Sequence, residues 1–271
     1  MSDWLLTHET LFRFSAYGGV LAAMAVLEAV FPRRARAFGR PGRWASNLGI
    51  AALNSALLAF LFPLLAVAFA LWVEAQGFGL FNGLHWPAGI KIILALLLFD
   101  LVIWAQHWAF HTIAVLWPYH AMHHADLEID TTTGVRFHPV EIAISMGIKF
   151  AAIAVLGPAA VAVLLFEVLL NASALFNHAN LRLPAGLDRW LRRVIVTPDM
   201  HRVHHSVYRD EHDTNFGFNL SVWDRLFGTY TAQPRDGHDR MAIGLDERRR
   251  LEDTLGVRMV VIPWTLGKDR S

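Results

Sequence analysis

Histidine is the residue type that gives this sequence its chemistry. The chain has 14 histidines and no cysteine among 271 residues. Eight of the histidines fall into three short motifs, "HWAFH", "HAMHH" and "HRVHH", which contain His107, His111, His120, His123, His124, His201, His204 and His205. Histidine is the commonest metal ligand in proteins and the usual acid–base residue at neutral pH. The absence of cysteine excludes thiolate-ligated zinc, iron–sulfur clusters and thiol nucleophiles.

Each motif has the spacing that lets one helix present two imidazoles to a common point. Residues four apart in a helix lie on the same face, and residues three apart lie nearly so. The pairs with this spacing are His107 with His111, His120 with His124, and His201 with His205. The motifs therefore predict a metal site that is built from several helices.

Two single histidines, His138 and His178, extend the candidate set to ten. They lie at the beginning and at the end of a long apolar stretch, at the same predicted height as the three motifs. Eight to ten ligands are too many for one ion and suit two. Imidazole ligands suit zinc, copper, iron and nickel. The remaining histidines, His8, His85, His212 and His238, are expected to be structural.

The elements that carry these motifs are predicted to be membrane helices. Hydrophobic residues make up 55% of the chain and charged residues only 17%, against about a quarter in ordinary soluble domains. Crossing a bilayer as a helix takes about 20 apolar residues. Candidate spans run over 14–31, over 48–73 with a kink near Pro63, from Ala88 onward, and over 142–176, which Gly157 and Pro158 divide into a hairpin.

The positions of basic residues predict which side of the membrane carries the site. Five arginines lie between the first two spans, whereas neither arginine nor lysine lies between the second and the third. Loops rich in basic residues stay in the cytoplasm. We therefore expect the histidine motifs and the segment after the hairpin to be cytoplasmic. Within that segment, "LDRWLRRVIV" is either an amphipathic helix on the membrane surface or a solvated helix.

The fold predicted from these patterns is all-α: a polytopic membrane bundle of about four to five spanning or half-spanning helices with a cytoplasmic helical cap. We expect N-terminal membrane helices over 1–99, a histidine-rich domain over 100–232 with the hairpin 142–176, and a charged peripheral tail over 233–271. A net charge of +1 gives no general attraction for polyanions, so nucleic acid is not an expected partner. The sequence has neither an HExxH motif nor a GxSxG motif, which disfavours a hydrolase.

Further short motifs give the sequence a family resemblance. They are "RFHP" (136–139), "NHAN" (177–180), "TPDMHRVHH" (197–205), "DTNFG" (213–217) and "WDRLFGT" (223–229). Together with the histidine motifs, this pattern resembles the fatty acid hydroxylase and sterol desaturase superfamily of membrane di-iron oxidases. The resemblance covers about half of the chain, from Asp100 to Thr229.

The resemblance implies that all ten candidate histidines ligate two iron ions, for which zinc can substitute. It implies that Asp213 and Asn215 orient imidazoles beside the site, although both residue types also form turns. It implies O2-dependent hydroxylation or desaturation of a membrane lipid such as a sterol, a fatty acyl lipid or an alkylglycerol lipid. The ligand motifs do not distinguish hydroxylation from desaturation.

The expected partners are the bilayer, a lipid substrate and a separate electron donor. Nothing in the sequence resembles a cytochrome b5 domain or a GxGxxG nucleotide motif, so we expect a ferredoxin or a cytochrome b5 with its reductase. Arg189, Arg192 and Arg193 suit either an acidic redox protein or anionic lipids. Composition favours a bacterial inner membrane. The alternatives are a metal transporter and a membrane protein with a structural dizinc site.

Overall fold

The chain folds into helices joined by short turns and by several longer ordered loops. The computed structural model describes residues 2–62 and 64–266. In these residues all regular structure is helical, and strand-like pairing is limited to three isolated bridges. The helices are α1 (Ser2–Thr7), α2 (Glu9–Val30), α3 (Arg40–Leu61), α4 (Ala66–Gln76), α5 (Ala88–Thr112), α6 (Trp117–His124), α7 (Pro139–Leu156), α8 (Ala160–Asn177), α9 (Ala185–Leu191), α10 (Pro198–His204), α11 (Arg209–His212), α12 (Val222–Leu226), α13 (Gly237–Arg240), α14 (Gly256–Val260) and α15 (Ile262–Thr265). Two 3₁₀ turns cover Thr131–Val135 and Leu251–Thr254.

Five helical stretches are long and apolar enough to cross a bilayer. They are Glu9–Val30, Arg40–Gln76, Ala88–Thr112, Pro139–Leu156 and Ala160–Asn177. The prediction of an all-helical, multi-pass membrane protein is confirmed. The second stretch consists of α3 and α4, which are separate helices, and the kink predicted near Pro63 lies outside the described residues.

The predicted hairpin consists of α7 and α8, which are separated by a tight turn at Gly157. Gly157 has a left-handed backbone (φ 58°), and a β-carbon there would lie 2.7 Å from the Phe78 carbonyl oxygen. Glycine is the residue that tolerates both conditions, since it has no side chain to clash. Lys149 of α7 and Glu167 of α8 form an ion pair that joins the two helices.

An apolar core between α4, α5, α7 and α8 makes the membrane part rigid. Phe99 of α5 stacks on Phe166 of α8 with ring centroids 5.1 Å apart, and Ile153 and Leu164 are fully buried beside them. In a bilayer such contacts stabilise by close packing, because lipid tails are as apolar as the side chains. This core fixes the ends of α5 and α8, where histidines of the site are attached.

A buried polar network anchors the crossing between α6 and α7. The guanidinium of Arg43, on α3, donates to Asp126 at 2.8 Å and to Asp130 at 2.6 Å. The Glu28 carboxylate, near the end of α2, accepts from the backbone N–H groups of Thr131 and Asn180 at 3.1 Å. These bonds satisfy groups that would be costly to bury unpaired. They hold the segments on both sides of the site against α2 and α3.

The C-terminal tail differs from its expected peripheral position. Met241, Ile243, Leu245, Met259 and Ile262 are all buried, and three of them pack in one cluster with Ala121 and Met122 of α6. The charged residues of the tail lie in separate runs, such as 246–250, between these apolar stretches, so the average polarity of the tail concealed its buried residues. The tail therefore covers the helix that carries the second histidine motif.

Candidate metal centre

The three histidine motifs and His178 converge at one end of the bundle. The first motif lies in the last two turns of α5, the second occupies α6, the third lies on α10, and His178 caps the end of α8. Pro118 and Pro198 lie in the first turns of α6 and α10, where the missing N–H costs no helical hydrogen bond. The Thr197 hydroxyl caps α10 by accepting from the Met200 N–H.

Nine histidines form two adjoining groups. The five-histidine cluster contains His107, His111, His120, His124 and His204. The four-histidine cluster contains His123, His178, His201 and His205. Within each cluster, every residue offers a ring nitrogen that lies within 4.8 Å of the others. Each group is thus compact enough for its imidazoles to share one ion.

The adjacent histidine pairs connect the two clusters. His123 faces the four-histidine cluster and its neighbour His124 faces the five-histidine cluster, while His204 and His205 divide in the opposite order. Consecutive helical residues point about 100° apart, so an adjacent pair can address two sites. The rings of His124 and His205 meet between the clusters with centroids 4.6 Å apart. The HxxHH motif is therefore suited to two neighbouring ions.

The nine imidazoles are withdrawn from water, and none is more than 4% exposed. Burial, reinforced by neighbouring imidazoles, lowers the pKa of His123, His124, His201, His204 and His205 well below the usual 6.5. Burial also lowers the pKa of His178, to about 3. A low pKa keeps the imidazole neutral at pH 7, which is the form that ligates metal.

Six of the nine imidazoles are oriented by an acceptor at Nδ1. Four donate to backbone carbonyls: His107 to Phe216 (2.8 Å), His123 to Arg136 (3.0 Å), His178 to Ala174 (2.7 Å) and His204 to Thr214 (2.7 Å). Two donate to carboxylates: His111 to Asp213 (3.1 Å) and His120 to Glu141 (2.7 Å). Metal-ligating histidines characteristically donate their second ring N–H in this way. Because Nδ1 carries the proton, Nε2 of these rings presents a lone pair.

The Nε2 atoms face one another at distances that suit a shared metal ion. His107 Nε2 lies 3.1 Å from His120 Nε2, and His123 Nε2 lies 3.1 Å from His178 Nε2. All four rings carry their proton on Nδ1, so neither pair has a proton to share. Two nitrogens bound to one ion at about 2.1 Å lie roughly 3 Å apart when the bonds are perpendicular. The spacing is therefore that of metal ligands.

Several other nitrogens at this centre have no hydrogen-bond partner although they are buried. They are Nε2 of His111 and His204, Nδ1 of His201, and both ring nitrogens of His124 and His205. A buried polar atom without a partner costs about 1–3 kcal/mol, and an ion bound in each cluster would satisfy one nitrogen of each of these rings. The residues present thus fit two metal ions that are held by neutral imidazoles.

The structure places His138 away from both clusters. Its Nδ1 accepts from the Val140 N–H at 3.1 Å and caps α7, and its Nε2 donates to the Val260 carbonyl at 3.2 Å. Both nitrogens are therefore engaged with backbone, and His138 is not brought to the candidate ligand set. Its position before a span suggested a ligand, but the buried ring packs against Tyr119 and Trp264.

Asp213 and Asn215, which were expected to orient imidazoles, have different roles. Asp213 bonds to His111 as described above. The Asn215 side chain donates to the Met200 and Thr231 carbonyls at 3.0 and 2.8 Å and accepts from the Thr231 N–H. Its backbone is left-handed (φ 54°), a conformation that asparagine tolerates better than most residues. Asn215 thus shapes the loop and bonds to no imidazole.

Sequence reasoning missed two residues of the centre. Glu141 is buried on α7 and accepts from His120, although its Oε2 has no partner. His212, which was expected to be structural, forms a third small group with His111 and Asp213. A signal for Glu141 was present in its position three residues after His138, in the first turn of a helix that starts beside the site.

The segment 213–229 is a lid that two aspartates fix against α5. Asp224, itself part of this segment, accepts from the Trp104 indole of α5 at 3.0 Å and from the Phe216 and Gly217 N–H groups at 2.8 Å. Asp100 accepts from the Leu220 N–H at 3.1 Å and from the Trp223 indole at 2.9 Å. Because the Phe216 carbonyl also accepts from His107, this lid orients one of the candidate ligands.

Comparison with known proteins adds sequence evidence. The fatty acid hydroxylase family model matches residues 92–229. The chain is 28% identical over 151 residues to ornithine lipid hydroxylase OlsE of Rhizobium tropici, which covers 56% of this chain and 45% of the relative. It is 27% identical over 164 residues to human alkylglycerol monooxygenase, covering 58% and 34%. It is 29% identical over 155 residues to very-long-chain aldehyde decarbonylase GL1-1 of Oryza sativa subsp. indica, covering 54% and 24%.

These matches cover less than half of each relative's own length. No solved structure matches the chain. The matched residues include all nine histidines of the two clusters, the carboxylate Glu141 and the lid. The match to the family model extends over half of the chain and, together with the two histidine clusters in a multi-pass helical bundle, shows that the chain belongs to the fatty acid hydroxylase family.

Proposed function

We propose that this protein is a membrane-bound oxygenase that uses two iron ions and O2 to hydroxylate a C–H bond of a membrane lipid. The nine histidines of the two clusters are the proposed ligands, and Asp213 and Glu141 orient two of them. His138 is left out of the ligand set because both of its nitrogens are engaged elsewhere. The cytoplasm is the proposed side of the site, since the arginine-rich segment 33–43 lies at the same end.

One observation carries the proposal: unprotonated Nε2 atoms face one another at 3.1 Å in both clusters. This arrangement is unfavourable without a cation and favourable with one. Two such groups side by side, with ligands from four helices, suit a pair of ions that act together. A redox-active metal supplies the O2 chemistry that attack on an unactivated C–H bond requires.

The chain's own residues position the ligands and keep the site dry. The Nδ1 contacts fix the tautomer and the direction of six imidazoles, which raises their basicity toward a metal. The lid and the buried tail exclude water, so oxidising equivalents are directed to substrate. Hydroxylation inserts one atom of O2 into the C–H bond and reduces the other to water, which takes two electrons and two protons from outside the substrate.

The position of the site supports a lipid as substrate. The five-histidine cluster begins in the last turns of α5, close to the expected edge of the bilayer core. A lipid can therefore approach laterally from the membrane. The names of two relatives, ornithine lipid hydroxylase and alkylglycerol monooxygenase, refer to lipids with polar headgroups. We therefore propose a lipid with a polar headgroup, and hydroxylation over desaturation.

The electrons are proposed to come from a separate ferredoxin or a cytochrome b5 with its reductase. Of the three arginines considered for docking, Arg192 is buried, pairs with Asp188 and donates to the Ala232 carbonyl. Arg189 and Arg193 are exposed.

A transporter is less well supported. The two acidic groups inside the late spans are both engaged: Asp100 bonds to the lid, and Glu167 pairs with Lys149 and Arg13. They do not form a row of free ligands along a path through the membrane.

The test combines metal analysis with product analysis. Purified protein is expected to contain two equivalents of iron and to consume O2 when supplied with a reductant and membrane lipid. Lipids of cells that express the chain are expected to contain species heavier by one oxygen atom. The control is the double variant His124→Ala/His205→Ala, which should insert into membranes and lack both activities. Two equivalents of zinc with no O2 uptake after iron reconstitution would instead favour a structural dizinc protein.

A further inference from the structure

The segments that follow α8 carry an exposed apolar surface that is not part of the metal site. It consists of Leu187, Trp190, Val194, Val222, Leu226 and Phe227. Trp190 is 64% exposed and Leu226 is 66% exposed. Soluble surfaces seldom expose so many large apolar side chains together, and where they do, the patch contacts another molecule or a membrane. We call these six residues the apolar collar.

The collar is one continuous surface formed by two neighbouring segments. Leu187 and Trp190 lie three residues apart on α9, Val194 lies in the turn that follows this helix, and Val222 and Leu226 lie four residues apart on α12. The Ser221 N–H donates to the Val194 carbonyl at 3.0 Å, and the Arg225 guanidinium donates to the Arg192 carbonyl at 2.8 Å. These bonds hold the end of the α9 segment against the start of α12.

The depth of the collar follows from its contacts with α5. Phe227 stacks on Trp104 with centroids 4.4 Å apart, and the Trp223 indole donates to Asp100. Asp100 lies about 18 Å and Trp104 about 24 Å along the helix from Ala88. The hydrocarbon core is about 30 Å thick. Both contact points therefore lie closer to the N-terminal end of α5 than the thickness of the hydrocarbon core.

The N-terminal end of α5 has the features of a membrane boundary. Lys91 donates to the Phe81 and Leu84 carbonyls, as a lysine that reaches toward the interface does, and Trp86 is exposed just before the helix. With α5 entering the core there, α12 lies beside a part of α5 that is still at membrane depth. An aqueous protein partner could not reach this part of the surface.

We infer that the apolar collar is embedded in the lipid leaflet on the side of the metal site, and that α9 and α12 are in-plane membrane anchors. The basic residues match this environment, since Arg189 and Arg193 are exposed on the same segment and suit anionic headgroups. The partner is therefore an anionic lipid leaflet. The inference depends on membrane insertion of α5 and not on the metal or the proposed reaction.

Site-directed spin labelling tests the depth directly, because the chain has no native cysteine. Single variants Leu187→Cys and Leu226→Cys are labelled in the full chain and reconstituted in vesicles of phosphatidylcholine and phosphatidylglycerol. Ile93→Cys, on the exposed apolar face of α5, is the membrane reference, and Asp246→Cys, on the exposed part of the tail, is the aqueous reference. The readout is the ratio of relaxation by O2, which partitions into lipid, to relaxation by a water-soluble nickel chelate.

We expect both collar labels to give a ratio several-fold above that of Asp246→Cys and close to that of Ile93→Cys. A ratio equal to that of Asp246→Cys at both positions would overturn the inference and leave the collar as a surface for a soluble partner, such as the electron donor. Charge reversal by Arg189→Glu/Arg193→Glu should lower the ratio at Leu187→Cys in vesicles with phosphatidylglycerol and not in pure phosphatidylcholine. An unchanged ratio in both vesicles would overturn the role of anionic lipid.

Discussion

The two histidine clusters have the same ligand type but different support. In the five-histidine cluster, two imidazoles donate to carboxylates, those of Asp213 and Glu141. In the four-histidine cluster, the two anchored imidazoles, His123 and His178, donate to backbone carbonyls. A carboxylate adds a negative charge behind the ligand and raises its basicity more than a carbonyl does. Two neighbouring sites built from histidine alone can therefore differ in their affinity for metal, because the groups that accept from the Nδ1 atoms differ.

Removal of one ligand from each cluster should expose this difference most clearly. His205→Ala leaves three imidazoles in the four-histidine cluster, whereas His124→Ala leaves four in the five-histidine cluster. We expect His205→Ala to lose one equivalent of metal and His124→Ala to retain most of its metal, with lipid turnover abolished in both. Elemental analysis of the purified variants measures this. Equal metal loss in the two variants would show that neither the extra imidazole nor the carboxylates make the five-histidine cluster the stronger site.

The charge behind His120 gives the next largest effect. Glu141 is buried and approaches His120 at 2.7 Å, so Glu141→Gln keeps the shape and removes the charge. We expect the affinity of the five-histidine cluster for metal to fall by about 10–100-fold. The affinity of the four-histidine cluster in the same protein serves as the internal control. Competition with a chelator, followed by optical titration with Co²⁺, measures both.

A close backbone approach sets the geometry of the four-histidine cluster. A β-carbon on Gly134 would overlap the Ala174 carbonyl oxygen and lie 3.2 Å from His178 Nδ1. Gly134→Ala must therefore displace the turn or the end of α8, at a cost of about 1–3 kcal/mol. We expect a lower melting temperature and weaker metal binding at this cluster, with the five-histidine cluster little changed.

Gly147→Ala is the matched control for that prediction, because nothing lies within 4 Å of the added β-carbon. It should leave both melting temperature and metal affinity near those of the unmodified chain. If Gly134→Ala behaved in the same way, the turn at 131–135 would not be what places His178.

The sequence predicted the nine histidines that the structure brings together, but it did not predict the groups that orient them. Three- and four-residue spacing in the motifs predicted which imidazoles share a helix face, and the apolar runs predicted the helical membrane fold. The division of His123 from His124 between two clusters depends on where α8 and α10 meet α6, which local spacing does not encode. His138 was misleading because its position before a span suits an N-cap as well as a ligand.

The contacts that sequence reasoning missed are long-range. Glu141 lies 21 residues from His120, and the Phe216 carbonyl lies 109 residues from His107. The buried residues of the C-terminal tail were likewise hidden by the charged runs that lie between them, such as 246–250. Such contacts depend on the packing of whole helices, and no short motif specifies them.

The smallest expected effect concerns the second carboxylate. Asp213 is 30% exposed at its side chain, and its other oxygen pairs with Arg209, which is 74% exposed. Water and this arginine both screen its charge, so Asp213→Asn should weaken metal binding at the five-histidine cluster by less than Glu141→Gln does. Arg209→Ala removes the arginine that competes with His111 for Asp213, and it should slightly strengthen metal binding. If Asp213→Asn had the larger effect of the two carboxylate variants, burial would not decide how strongly a carboxylate supports its ligand. The group formed by His111, His212 and Asp213 would then be the more important support of this cluster.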